Sequence, residues 1–181
     1  MTDAVEPLSE SETFANALSY FSGAPLLGIL TGLVLTVIVQ SSSAMVGILQ
    51  ALSSTGVMTF NLVYPVIMGI NLGTCVTTAL VCSIGSSKDA KRTGVVHIVF
   101  NTVGTVLFMI AMTVIQQLGL FSGLWNSTVD SGAIADFQTI FNLLTAIALI
   151  PFVNVLVKIA CMFVKDDKEE EVLDNIKFAQ E

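Results

Sequence analysis

"VIVQSSSAMVGILQAL", residues 37 to 52, sets a glutamine and three consecutive serines inside an apolar run with no charged residue nearby. The meaning of that interruption depends on the solvent around it, and composition identifies the solvent. Of 181 residues, 54% are hydrophobic and 12% charged. The mean hydropathy is +0.83, too apolar for an ordinary soluble domain. No Asp, Glu, Lys or Arg occurs from Thr13 to Gly85, from Thr93 to Val129 or from Phe137 to Val157. A membrane-spanning helix needs about 20 predominantly apolar residues, and each stretch is long enough. An all-α membrane protein is the expectation. The net charge of -7 says little about its core, because most acids lie before Phe14 or after Val164. The opening "MTDAVEPLSESETF" is acidic and polar, unlike a cleavable signal peptide, so targeting is expected to rest on the spans.

Along the chain, an apolar run from Ala24 to Val39 stops at "QSSS" and resumes from Ala44 to Leu52. Neither half alone crosses a bilayer, so the pair reads as a re-entrant helical hairpin with the polar break at its tip. The run Val57 to Ile84 is interrupted by "GINLGT" at Gly69 to Thr74, which reads as a broken spanning helix. A basic loop, "GSSKDAKR", leads to a continuous span from about Thr93 to Gln116. A loop around Trp125 then leads to a last helix, Ala133 to Val164, which Pro151 should kink. Cys75, Cys82 and Cys161 lack metal-ligand spacing and read as small hydrophobes.

Basic residues mark the cytoplasmic face. Lys88, Lys91 and Arg92 sit in one loop, and Lys158, Lys165 and Lys168 flank the end of the last helix, two crossings later. Both places therefore share one side. Nothing before Lys88 and nothing from Leu118 to Gly132 is basic. The orientation expected is an outside N-terminus, hairpin mouth and Trp125 loop, with the C-terminus in the cytoplasm of a plasma or inner membrane.

At mid-membrane depth an uncharged polar cluster is tolerated only where protein or a water-filled cavity covers it. At "SSSAMVGILQAL" the hydroxyls stand where an apolar helix begins, and free backbone N–H groups with the positive dipole end make an anion site without lysine or arginine. "NLGTCVTTALV" looks like a second such start, with Gly73 freeing the backbone before Thr74, Thr77 and Thr78. Two interrupted helices are the pattern of a secondary transporter's midplane site. Against this, an isolated Ser or Thr in a membrane helix commonly bonds its own i-4 carbonyl or packs helices together. Three adjacent hydroxyls point in different directions and do not serve one packing face. "HIVFN" (His97 to Asn101) recurs as "QTIFN" (Gln138 to Asn142), each with a polar pair at i and i+4. His97, Asn101, Gln138 and Asn142 are candidate cavity-lining residues, with an interfacial histidine the plain alternative for His97.

The sequence resembles the sodium/phosphate cotransporter family, the type II cotransporters and their bacterial relatives, in which "QSSS" marks each of two inverted repeats. The resemblance rests on "QSSSA" (Gln40 to Ala44), "GINLGT" (Gly69 to Thr74), "KRTGVVHIVFNTVG" (Lys91 to Gly104), "FQTIFN" and "LIPF", across roughly residues 23 to 164. It implies sodium-driven import of inorganic phosphate, with Ser41, Ser42 and Ser43 contacting phosphate. Gln40, Asn71, Thr74 and Thr77 would bind sodium or shape the break. It implies three regions: a polar acidic N-terminal segment (1–22), a transmembrane repeat (23–164) and a charged cytoplasmic tail (165–181). Cys75 stands where a second threonine is usual, and Gln138 where relatives often have histidine. One "QSSS" is present, so the chain is expected to supply one half of an inverted-repeat transporter. The other half would come from a missing repeat or a partner chain, since one-sided basic residues argue against antiparallel copies.

No cofactor is expected, only sodium as coupling ion, and the partners implied are phosphate, sodium, the lipid bilayer and the second half, with no nucleic acid. A transporter or channel for another small anion or solute, or a noncatalytic membrane scaffold, are the other readings. An enzyme fits least, for lack of a nucleophile–base pair, metal cluster or phosphate loop with its lysine.

Overall fold

The computed structural model describes residues 24–165, so the expected segment 1–22 and all but the first residue of the tail 165–181 lie outside the described residues. The helices are α1 (Pro25–Val39), α2 (Ser42–Ser53), α3 (Phe60–Ser83), α4 (Lys88–Gln117), α5 (Ser122–Trp125), α6 (Ser131–Leu149) and α7 (Val153–Phe163). Their starts follow from sequence. Pro25 opens α1, and Ser41, Ser87 and Asp130 cap α2, α4 and α6 by accepting from the N–H three residues on. Pro151 lacks an N–H and cannot continue a helix. A 3-10 turn at Ile150–Phe152 accordingly divides α6 from α7, where a kink is expected. Helices α3, α4 and the α6–α7 run are long and apolar enough to cross a membrane.

Helices α1 and α3 run side by side in the same direction, joined by a seam of small residues. Gly28 lies against Pro65, Gly32 against Val66 and Ile70, Gly69 against Ile29, and Gly73 against Leu33 and Thr36. A Cβ on Gly73 would stand 2.6 Å from the Thr36 Cβ, and one on Gly69 would collide with the Ile29 carbonyl. Such contact between backbones is how helices associate in lipid, where apolar surface gains nothing by leaving the solvent.

This seam corrects one expectation. Helix α3 passes through "GINLGT" without a break. Gly69 and Gly73 serve the approach of α1, and because every α3 carbonyl in this stretch keeps a helical partner, nothing there calls for unwinding. Thr74, Thr77 and Thr78 therefore stand inside a helix and not at the start of a second half-helix.

Since α1 parallels α3, the chain must return before α3 begins, and α2 makes that return. The mouth of the α1–α2 hairpin and the start of α3 share one end of the bundle. The segment before α6 is held at that end too, where Phe60 N–H donates to Ser127 O at 3.0 Å and Val129 N–H to Met58 O at 2.9 Å. Phe60 stacks on Tyr64, both meet Trp125 and Phe137 edge-to-face or tilted, and Phe108 brings in α4. At the opposite end the Arg92 guanidinium donates twice to Val164 O, both at 3.2 Å, tying the end of α7 to the start of α4. The two basic segments thus share one end of the molecule. Cys75 is buried and Cys82 half-buried as small hydrophobes, whereas Cys161 lies on the outward face of α7.

Replacing Gly69 by Ala is expected to lower stability by about 3 kcal/mol, because the clash is with backbone and no side chain can yield. Gly47 of α2 has nothing within 4 Å of its would-be Cβ. Gly47→Ala should be neutral or stabilise by up to about 1 kcal/mol through helix propensity. Reversible unfolding in mixed micelles, followed by circular dichroism, checks the contrast; equal effects would contradict the seam.

Candidate functional site

The break at "QSSS" has a defined geometry. Gln40 closes α1 in the left-handed conformation, at φ 55° and ψ 25°, and its N–H donates to Thr36 O at 2.7 Å. A residue other than glycine in this region costs roughly 1–2 kcal/mol. Ser41 is extended, and its Oγ accepts from Ala44 N–H at 3.2 Å. That cap leaves the N–H groups of Ser42 and Ser43 without an intrahelical acceptor. The Ser42 and Ser43 hydroxyls make no hydrogen bond among the described residues; Ser42 is half-buried and Ser43 exposed. Two backbone donors, two hydroxyls and the positive end of α2 are therefore left without partners where the chain turns.

Depth follows from the seam. Thr36 lies beside Gly73, thirteen residues into α3 and ten before its end. Gln40, four residues further along the parallel helix, therefore comes beside Thr77, and at 1.5 Å per residue the hairpin turns about 25 Å from the start of α3 and about 9 Å from its end. The turn is thus inside the length of a helix able to span a membrane. A cavity of about 340 Å³ opens there, lined by Gln40, Thr77, Thr78, Leu80 and Val81.

Asn71, Thr74 and Thr77 recur every three residues, forming one slowly winding stripe along α3. The Thr74 hydroxyl donates to Ile70 O at 3.0 Å, and those of Thr77 and Thr78 donate to Thr74 O, both at 2.9 Å. This is the helix-internal bonding that isolated hydroxyls favour, and it leaves each oxygen with lone pairs to offer. At the other end of the stripe, the buried Asn71 pairs reciprocally with Gln138 of α6. Asn71 Nδ2 donates to Gln138 Oε1 and Gln138 Nε2 donates to Asn71 Oδ1, both at 3.2 Å. Cys75 Sγ lies 3.5 Å from Asn71 O and 3.9 Å from His97 O, and Asn101 Nδ2 donates to that same His97 carbonyl at 3.0 Å.

Of the residues singled out in the sequence, Gln40 and Thr77 line one cavity, the side chains of Asn71 and Gln138 pair, and Asn101 bonds the His97 carbonyl, which among the described residues only the Cys75 thiol links to the Asn71 carbonyl. His97 is half-buried, and its Nδ1 is enclosed without a partner. The likeness of "HIVFN" and "QTIFN" is real locally: Asn142 Nδ2 donates to Gln138 O at 2.9 Å, as Asn101 does to His97 O. Asn142, however, is exposed and stands apart from the others, whereas Asn101 is buried. Sequence reasoning missed Thr36, which is 1% exposed with an unpartnered Oγ1 at the hairpin turn. Its spacing, Gly28, Gly32, Thr36, was the available signal. Among the described residues no group of three His, Cys, Asp or Glu side chains could hold a metal ion.

Three apolar helices of spanning length and an interrupted helical hairpin define an all-α integral membrane protein. The chain belongs to the Na+/Pi-cotransporter family, which matches residues 1–126. It is 32% identical over 152 residues to the protein YqeW of Bacillus subtilis (strain 168), covering 82% of this chain and 47% of that protein. It is 33% identical over 90 residues to sodium-dependent phosphate transport protein 2B of Homo sapiens, covering 47% of this chain and 13% of that protein. The same identity over the same length relates it to sodium-dependent phosphate transport protein 2A of Rattus norvegicus, covering 14% of that protein. The chain thus spans less than half the length of these curated relatives. No solved structure matches. The family is one of cotransporters, not enzymes.

The strain at Gln40 separates its conformational role from its chemical one. Gln40→Gly should raise stability by about 1 kcal/mol by removing the left-handed penalty, while Gln40→Ala keeps the penalty and should not stabilise. Thermal unfolding of the two variants in detergent checks this, and equal midpoints would contradict the strained turn.

Proposed function

We propose that this chain carries one half of a sodium-coupled path for importing inorganic phosphate, with phosphate held at the hairpin turn by Ser41, Ser42 and Ser43. The observation that carries this reading is the start of α2, set within the length of α3, with unfilled N–H groups and free hydroxyls and no fixed positive charge beside it. Donors of this kind suit a tetrahedral oxyanion. Gln40, Asn71, Thr74 and Thr77 supply carboxamide and hydroxyl oxygens along one stripe, the ligand type that sodium takes in such sites. His97, Asn101, Gln138 and Asn142 complete the polar lining.

Coupling follows from electrostatics. A divalent anion in a low-dielectric site without cationic side chains is strongly disfavoured alone, and sodium ions alone are disfavoured for the same reason. Bound together, they neutralise each other. The α1–α2 hairpin is then re-entrant: at about 22 and 18 Å its arms fall short of a bilayer core of about 30 Å. Its polar turn and the exposed amide of Asn142 require a cover, which a second repeat or a partner chain provides. Residues 23–164 form the membrane repeat, flanked by the acidic segment 1–22 and the cytoplasmic tail 165–181. The end that holds Lys88, Lys91, Arg92 and Lys165 faces the cytoplasm, and the hairpin mouth faces outward.

Proteoliposomes holding this chain together with its second half are expected to take up radiolabelled phosphate when a sodium gradient is applied, and not when potassium replaces sodium. Ser42→Ala should weaken phosphate binding about tenfold or more, the loss of one hydrogen bond to a charged group. Equal uptake in potassium, or stronger competition by sulfate than by phosphate, would sink this reading.

A further inference from the structure

The Asn71–Gln138 pair joins two helices 67 positions apart in sequence through two reciprocal bonds of 3.2 Å. Asn71 has a further bond, from Nδ2 to Ile67 O at 2.9 Å. Both of its amide hydrogens are therefore engaged, one with its own helix and one with Gln138 Oε1. Its Oδ1 accepts from Gln138 Nε2 and, with two lone pairs, keeps one unused. The orientation of this amide is not arbitrary. An oxygen turned toward Ile67 O would face another oxygen, so the NH2 group must lie there, and Gln138 must then present oxygen to nitrogen and nitrogen to oxygen.

We infer that Gln138 is the positioning residue of the sodium site: by gripping both ends of the Asn71 carboxamide it fixes Oδ1, with its remaining lone pair, as a cation ligand. The inference rests on the proposed function, which makes Asn71 a sodium ligand. The bond to Ile67 O alone holds only the nitrogen end and leaves the plane of the amide free to tilt. The pair with Gln138 adds a bond at each end, so the oxygen is fixed before the ion arrives and less order is lost on binding. Gln138 itself is half-buried, and its backbone oxygen accepts from Asn142 Nδ2 of the same helix.

The test is a sodium titration of the detergent-solubilised chain with its second half, read by the fluorescence of Trp125, the sole tryptophan of this chain, with potassium at constant ionic strength as background. Gln138→Met removes both amide bonds at nearly constant volume, and Gln138→Asn keeps polarity but draws the amide back by one methylene. Each is expected to raise the sodium midpoint about tenfold, the size of one net hydrogen bond. The phosphate midpoint at saturating sodium should stay within about twofold; a merely structural role would move both. Thr139→Val, one residue along on the exposed face, should change neither. A folded variant with an unchanged or lowered sodium midpoint would overturn the inference while leaving the proposed function standing. A wild-type chain without any sodium response would overturn the proposed function and this inference together.

Discussion

The close passage of α1 over α3 is the constraint on which the other features depend. Gly32 and Gly69 allow the two backbones to touch, and Gly28 and Gly73 extend the contact along both helices. In lipid this packing must supply the association that the hydrophobic effect supplies in water. Because the helices are parallel and fixed in register, Thr36 lies beside Gly73 and the end of α1 stops near Thr77. The polar turn is then held partway along α3, and α2 has to start there. Depth, direction and exposure of the serines all follow from four glycines that touch no ligand.

The hairpin was legible in the sequence because a serine that caps a helix announces its start, and Ser41 does so with its own side chain. "GINLGT" was misread for a related reason. A glycine marks either a place where backbone departs from helix or one where another backbone comes close, and composition alone does not separate the two. The separating sign was present: Gly28 and Gly32 repeat the spacing of Gly69 and Gly73. The ends of the bundle were legible from charge, since Arg92 and the end of α7 meet where the basic residues place them. The amide pair of Asn71 and Gln138 was not, because nothing local to either residue encodes a contact with a helix so distant in the chain.

The absence of charge around the turn is itself a design with consequences. A buried lysine or arginine would hold an anion tightly with or without sodium. Hydroxyls, amides and a helix terminus orient an anion but do not neutralise it, so under the proposed function neutralisation falls to co-bound cations. The threonine hydroxyls of α3 bond their own helix, so each donor there is satisfied while its oxygen keeps lone pairs to offer.

The most direct test of this account is the depth of the turn in the bilayer. Spin labels at Thr55, Ser43 and Ser87, each as a single cysteine with Cys75, Cys82 and Cys161 replaced by alanine, are read by power saturation against oxygen and a water-soluble nickel chelate. Thr55 is predicted at one headgroup surface, Ser87 at the other, and Ser43 between them, deep yet open to the chelate. Ser43 level with Ser87 would mean that α1 crosses the membrane, and Ser43 level with Thr55 would mean that the hairpin lies on its surface. Either result would contradict the inward-reaching turn.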